Sequence, residues 1–181
     1  MEKNPNVEYI MLSERKIAKR VKELAEQMDK LYGGRKPVVV CILKGSVVFF
    51  ADLIRNMKTP LTIDFMSVSS YGSGTTSGEL KIKQDLATDI TGRDVLIVED
   101  IIDSGNTLYN LKKLLNARSP ASVNIITLLD KPARREVPIE PEYTGFVIED
   151  EFVVGYGLDY AEEYRNLPYV GVLKRSVYEN N

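Results

Sequence analysis

The stretch V-L-I-V-E-D-I-I-D-S-G-N-T-L, residues 95–108, decides the fold of this chain. Its first four residues are apolar and mostly β-branched, which is typical of a strand buried on both faces. Small, turn-forming residues follow at 103–107, and leucines then recur at helical spacing at 108, 111, 114 and 115. The stretch therefore predicts a buried strand, an acidic tip, a loop of small residues and a helix.

The polar residues of this stretch suit a phosphorylated sugar. A loop of small residues at a helix start offers backbone N–H groups, hydroxyls and the positive end of the helix dipole to a phosphate. Glu99 and Asp100, at the end of the predicted strand, offer oxygen acceptors for ribose hydroxyls or Mg²⁺. The alternative is an ordinary solvated acidic turn, but Ile101 and Ile102 lie between three acids, which is not typical of a plain surface loop.

Length and composition limit the classes of function. With 181 residues, the chain is expected to form one domain, residues 1–181, and its 44% hydrophobic and 28% charged content is typical of a soluble globular protein. A net charge of −2 gives no basic field for nucleic acid. The sequence contains no histidine, which excludes Ser-His-Asp catalysis and His-ligated zinc and leaves proton transfer to carboxylates, lysine or tyrosine.

The single cysteine and the hydrophobic pattern indicate the cellular compartment of the protein. Cys41, the single cysteine, cannot form an intrachain disulfide and is expected to be a buried thiol in a reducing compartment. The first five residues do not resemble a signal peptide, and no apolar run approaches the length of about 18 residues that spans a membrane. A cytoplasmic protein without a membrane partner is expected.

Strand and helix patterns alternate along the rest of the chain. Apolar residues at helical spacing after Ser13 predict a helix that stops at Gly33 and Gly34. Strand patterns lie at 37–43, 61–69, 122–129, 145–149 and 169–173. This alternation predicts an α/β fold with a mainly parallel sheet flanked by helices, and a site at the carboxyl ends of the strands.

Residues 46–57 predict a helix that is apolar over much of its circumference. Such a helix is either deeply buried or lies in a subunit interface. The second alternative is favoured, so the sequence predicts a homo-oligomer, either a homodimer or a homotetramer.

Several separate motifs, in order, make the chain resemble the type I phosphoribosyltransferases, and among them the hypoxanthine-guanine branch. They are C-I-L-K-G at 41–45, S-S-Y-G at 69–72, V-E-D-I-I-D-S-G-N-T at 98–107, L-L-D-K-P-A-R at 128–134 and E-F-V-V-G-Y-G-L-D-Y at 151–160. The resemblance implies transfer of the 5-phosphoribosyl group from phosphoribosyl pyrophosphate (PRPP) to hypoxanthine or guanine. IMP or GMP and pyrophosphate would be the products, and the fold would carry a small hood region beside its sheet.

The resemblance also implies roles for individual residues. The loop would bind the 5′-phosphate, Glu99 and Asp100 the ribose, and Asp103 would act as general base or acid at purine N7. The resemblance assigns the 5′-phosphate to Asp103, Ser104, Gly105, Asn106 and Thr107, and the pyrophosphate to Lys44, Gly45 and Arg165. It assigns the purine to Lys131, Phe152, Val153 and Asp159, and Mg²⁺ to Glu99, Asp100 and Asp159. It also implies a mobile loop that contains Ser70 and Tyr71. A cis peptide bond is expected between Leu43 and Lys44.

Some of these residues have plainer explanations. Without the resemblance, Lys44 and Lys131 are lysines in surface turns, 151–160 is a strand and turn, and 70–79 is a hairpin connection. Ser104 and Asn106 also depart from the Thr and Lys of many relatives, although both can still bind phosphate. Two alternative functions stay open: xanthine or a pyrimidine as the base, and a non-catalytic regulator that binds PRPP and reads RNA or DNA.

Overall fold

The computed structural model describes residues 3–70 and 80–179, with the backbone alone at Ser70. The predicted mobile-loop residue Tyr71 lies outside the described residues, as does the side chain of Ser70. The elements in chain order are β1 Val7–Leu12, α1 Glu14–Tyr32, β2 Val38–Ile42, α2 Val47–Asn56, β3 Thr62–Ser70, β4 Leu80–Gln84, β5 Asp94–Ile102, α3 Asn106–Asn116, β6 Ser122–Asp130, a 3₁₀ turn at Pro132–Arg134, β7 Tyr143–Val147, β8 Val153–Val154, β9 Val170–Leu173 and α4 Arg175–Tyr178.

The main sheet has six strands in the order β4-β3-β2-β5-β6-β7. All neighbouring pairs are parallel except β3 and β4, which are antiparallel at one edge. The predicted mainly parallel sheet is therefore confirmed. Strand β4 was not predicted, because four of its five residues are exposed and carry no buried-strand pattern.

Strand β5 separates two hydrophobic layers. Leu96 and Val98 pack with the buried faces of α1 and α2, whereas Val95 and Ile97 pack with α3 on the opposite side of the sheet. All four side chains are fully buried, as the apolar run predicts. Because both faces are covered, only the carboxyl edge of the central strands is left to form a site.

Helix α2 contributes mainly to the core of its own chain. Phe49, Phe50 and Leu53 are buried against β2, β5 and α1, and Val47 is the exposed large hydrophobic residue of this helix. The first of the two alternatives, deep burial, therefore explains most of its apolar surface.

A second, antiparallel sheet of the order β1-β9-β8 forms the small hood region. One of its faces joins the main core through Leu12, Val153 and Val172, and the other face has its own cluster around Val7 and Val154. Strand β1 was not predicted, because only Val7 and Leu12, at its ends, are buried.

Most element boundaries lie within one or two residues of the predictions, but β5 runs on to Ile102, so Glu99 and Asp100 lie inside the strand rather than at its end. Ser13 is the N-cap of α1, and its hydroxyl accepts a hydrogen bond from the backbone N–H of Lys16 at 3.3 Å. Strand β7 begins at Tyr143 and β9 at Val170. In the described ranges, no helix is long and apolar enough to cross a membrane.

Candidate active site

The loop at 103–107 joins the end of β5 to the start of α3. Gly105 is the N-cap of α3 and has a positive φ of 82°, a conformation that side chains other than glycine rarely adopt. A Cβ atom at this position would lie 2.6 Å from Ile139. The loop is also held from outside, since the backbone N–H of Glu136 donates to the carbonyl of Ser104 at 2.9 Å.

This loop surrounds a small cavity of about 110 Å³. Gly105 has no side chain to cap α3, and of the first-turn N–H groups only that of Asn106 has a side-chain acceptor among the described residues, the hydroxyl of Ser104 at 3.4 Å, so the following N–H groups remain available to an anion. Four of the five predicted phosphate-binding residues line the cavity, together with Glu99. The fifth, Asn106, donates through its side chain to Glu136 at 2.7 Å.

The acidic pair near the end of β5 is partly removed from water. Burial, with a further contribution from the neighbouring Asp100, raises the pKa of Glu99 well above its usual range. Its Oε2 atom is buried and has no hydrogen-bond partner among the described residues. Burial also raises the pKa of Asp100 to about 6. Two half-buried carboxylates, one of which has a buried oxygen without a described hydrogen-bond partner, suit a cation or ribose hydroxyls.

Lys44 and Gly45 lie beside this acidic pair. A Cβ atom at Gly45 would be 1.7 Å from Oδ2 of Asp100, so only glycine allows this approach. The peptide bond between Leu43 and Lys44 is cis, as the resemblance implied. The carbonyl of Gly45 in turn lies directly against Gly157 of the hood, where a Cβ atom would be 2.0 Å from it.

Arg165 reaches the same region from the hood. Its Nη1 donates to the carbonyl of Gly157 at 2.9 Å, and its Nη2 lies 2.9 Å from Oδ1 of Asp159. Glu162 bridges the two predicted pyrophosphate-binding cations, at 3.0 Å from Lys44 and 3.3 Å from Arg165. These contacts, with Lys44 the larger cause, lower the pKa of Glu162.

A larger cavity of about 390 Å³ adjoins the loop on the other side of Asp103. Ile101 and Asp103 line both this cavity and the one over the phosphate loop. The predicted purine residues Lys131, Phe152, Val153 and Asp159 all line it. Its size is that of a small-molecule pocket.

Four charged side chains that line this cavity form a ring of ion pairs. The Nζ atom of Lys131, a side chain only 8% exposed, lies 3.8 Å from Asp103 and 3.7 Å from Asp150. Arg134 contacts the same two carboxylates, at 3.7 and 3.3 Å. The Lys131 ammonium is thereby held between two anions at the cavity wall.

Arg135 connects this cavity to the phosphate loop. It forms a buried ion pair with Asp130 and also donates a hydrogen bond to the carbonyl of Asp103. The turn after β6 and the turn after β5 therefore hold each other in place.

Sequence reasoning missed Arg134, Arg135, Asp150 and Glu162. Arg134 is the last residue of the L-L-D-K-P-A-R motif, and Asp150 directly precedes the motif at 151–160. Their positions next to predicted purine-binding residues could have identified them as part of the site. Glu162 had none, because it meets Lys44 only through the packing of the hood on the main sheet.

In the part of the chain that the structure describes, no three acidic or cysteine side chains converge as a metal site. Glu99 and Asp100 are adjacent, whereas Asp159 is paired with Arg165. A Mg²⁺ ion generally takes one or two carboxylates and completes its shell with water and substrate oxygens, so the acidic pair still fits such an ion.

Comparison with known proteins identifies relatives over nearly the whole chain. The model of the phosphoribosyl transferase domain matches residues 10–161. The chain is 55% identical to the hypoxanthine-guanine phosphoribosyltransferase of Lactococcus lactis over 98% of both chains. It is 52% identical to that of Bacillus subtilis over 97% of this chain and 98% of that protein.

Two further relatives extend the comparison. The crystal structure of a hypoxanthine phosphoribosyltransferase from Staphylococcus aureus superimposes with a TM-score of 0.93 at 52% identity, covering 96% of this chain and 95% of that one. The bifunctional protein TilS/HprT of Listeria innocua is 53% identical over 96% of this chain, which spans 27% of the length of that protein.

Proposed function

This chain belongs to the phosphoribosyl transferase family, and from that premise we propose that it transfers the 5-phosphoribosyl group of PRPP to N9 of hypoxanthine or guanine. IMP or GMP and pyrophosphate are the products. One observation carries the proposal: Asp103 lines both the phosphate-loop cavity and the purine-sized cavity, so a sugar and a base bound there meet beside its carboxylate.

The phosphate loop and the acidic pair hold the sugar. Backbone N–H groups and hydroxyls of residues 104–107 bind the 5′-phosphate at the start of α3. Glu99 and Asp100 accept hydrogen bonds from the ribose hydroxyls, which gives the buried Oε2 of Glu99 a partner. Positive charge develops on the ribose as the bond between C1′ and the pyrophosphate oxygen breaks, and these carboxylates stabilise it.

The second cavity holds the base. Lys131 donates to the six-position oxygen of the purine, Phe152 stacks on its ring, and the backbone of Val153 reads its edge. Asp159 lies towards the two-position. Asp103 holds or removes the proton at N7, since its carboxylate lines both cavities and the chain contains no histidine to do this work.

Pyrophosphate leaves towards Lys44, the backbone at Gly45, and Arg165. The guanidinium of Arg165 already lies within reach of two carboxylates, which is the geometry that also suits phosphate oxygens. Glu162 must give up both cations when pyrophosphate binds. Glu99 and Asp100, with Asp159 through water, would hold a Mg²⁺ ion, and such an ion would supply positive charge to offset that of the pyrophosphate.

Further parts of the proposal concern the chain as a whole. It forms one domain over residues 1–181 and works in the cytoplasm on PRPP, hypoxanthine and guanine, without a nucleic-acid or membrane partner. Helix α2 takes part in a homodimer or homotetramer through residues such as Val47, which is 40% exposed.

Ultraviolet monitoring of the purified protein tests the proposal. PRPP and Mg²⁺ are supplied with hypoxanthine, guanine, xanthine or uracil in separate reactions. Turnover of hypoxanthine or guanine that requires Mg²⁺ is expected. Turnover of xanthine or uracil alone would overturn the base assignment, and PRPP binding without any turnover would favour the regulator.

A further inference from the structure

The C-terminal helix α4 brings Tyr178 onto the ring of Phe152. The two ring centroids are 4.8 Å apart and the ring planes differ by 21°, which is a stacked pair. Tyr160 and the same Phe152 ring form an edge-to-face pair, with centroids 5.6 Å apart and ring planes at 85°. The backbone joins these segments as well, because the N–H of Leu173 donates to the carbonyl of Phe152 at 2.8 Å.

Tyr178 approaches Phe152 from the hood. It packs against the hood cluster around Val154 and also lines the base cavity, as does Val153, the preceding residue of β8, which belongs to the main core. Strand β8 therefore lies between the hood cluster and the base cavity. Phe152 contacts both Tyr178 and Tyr160 and is still 37% exposed, so part of its surface remains open.

We propose that Tyr178 is a positioning residue for the purine: it stacks on one face of Phe152 and fixes the ring whose other face receives the base. This inference rests on the proposed function. With the base bound, Tyr178, Phe152 and the purine form one continuous stack. The physical gain is that Phe152 no longer loses ring freedom when the base arrives, because the aromatic cluster has already restricted it.

Steady-state kinetics on three variants tests this role. Tyr178→Leu removes the ring and Tyr178→Phe keeps it. Tyr9→Leu is the control, since Tyr9 is a 46% exposed tyrosine of strand β1 that does not line the cavity. The Tyr178→Leu substitution should raise KM for hypoxanthine and guanine about 3- to 10-fold, the range expected for one aromatic pair. KM for PRPP should stay unchanged, and the other two variants should behave like the wild type.

Each other result overturns the inference. An unchanged KM for the base removes Tyr178 from this role, and a lowered KM would mean that its ring competes with the base. A rise in both KM values, or a similar rise with Tyr178→Phe, would indicate a merely structural contribution. Tyr178→Met gives the same comparison if the leucine variant does not fold. Absence of turnover in the wild type itself would instead refute the proposed function.

Discussion

The phosphate loop takes its binding groups from one unbroken stretch, residues 103–107, whereas the base cavity draws on four separate stretches. Ile101 follows the buried part of β5, Lys131 follows β6, Phe152 precedes β8, and Tyr178 ends α4. The first region depends on backbone geometry at a helix start, and the second on side chains that tertiary packing brings together. Substitutions should therefore act differently in the two regions.

Asp103 lies where the two regions meet, so its loss should have the largest effect. We expect Asp103→Asn to lower kcat by about 100-fold or more, the scale of general acid–base catalysis, while PRPP binding is largely kept. Asp150→Asn is the matched control, because Asp150 pairs with the same Lys131 and Arg134 and is similarly half-exposed. Single-turnover rates that fall equally in both variants would remove Asp103 from proton transfer.

The phosphate loop should be sensitive to backbone crowding. Gly105→Ala forces a side chain into a positive φ and against Ile139, so it should lower the free energy of unfolding by about 2–4 kcal/mol. KM for PRPP should rise about tenfold, the equivalent of one lost hydrogen bond. Gly92→Ala provides the control, since Gly92 also has a positive φ, of 67°, but no atom lies within 4 Å of the added Cβ.

That control should lower the free energy of unfolding by only about 1–2 kcal/mol and leave KM for PRPP unchanged. Equal stability losses in the two glycine variants, measured by urea unfolding, would show that crowding by Ile139 has no part in holding the loop.

The acidic pair should make the metal-free protein less stable as pH rises. Burial raises the pKa of Asp100 in the folded protein from 3.8 to about 6. Between these two pH values the folded protein therefore binds more protons than the unfolded chain. Linkage then requires the free energy of unfolding to fall as pH rises from about 4 to 6. At pH 7, Asp100→Asn should recover about 1–3 kcal/mol, because one pKa unit corresponds to about 1.4 kcal/mol.

Urea unfolding at pH 4 and pH 7 measures this effect, with Glu162→Gln as the control. The pKa of Glu162 is lowered by Lys44 and Arg165, so its neutral variant should bring no gain at pH 7. An Asp100→Asn protein that is no more stable than the wild type at pH 7 would contradict a buried, destabilised carboxylate.

The contrast between the two regions also explains which parts of the fold and of the site could be predicted from the sequence. The strand, loop and helix around residues 95–108 follow from local patterns, because burial, turn chemistry and helical spacing all lie in one segment. The roles of Lys131 and Phe152 were available only through the resemblance to a family. Their local patterns predict no more than a turn and a strand.

Residues joined by tertiary packing could not be predicted at all. Glu162 reaches Lys44 across 118 positions of sequence, and Tyr178 reaches Phe152 only because α4 folds back over the hood. Strand β1 was missed for a related reason: its central residues Glu8, Tyr9 and Ile10 are exposed, so the strand has no alternating burial. The periodicity of apolar residues indicates only which residues are buried, whereas β1 is a strand because it pairs with β9.

The most direct test of this division is to measure KM for both substrates in Gly105→Ala and in Lys131→Met. The lysine variant loses a charged hydrogen bond to the base, so KM for hypoxanthine should rise about 10- to 100-fold with KM for PRPP unchanged. The glycine variant should show the reverse pattern. A rise in both KM values in both variants would mean that the phosphate loop and the base cavity act as one unit, which would contradict the division proposed here.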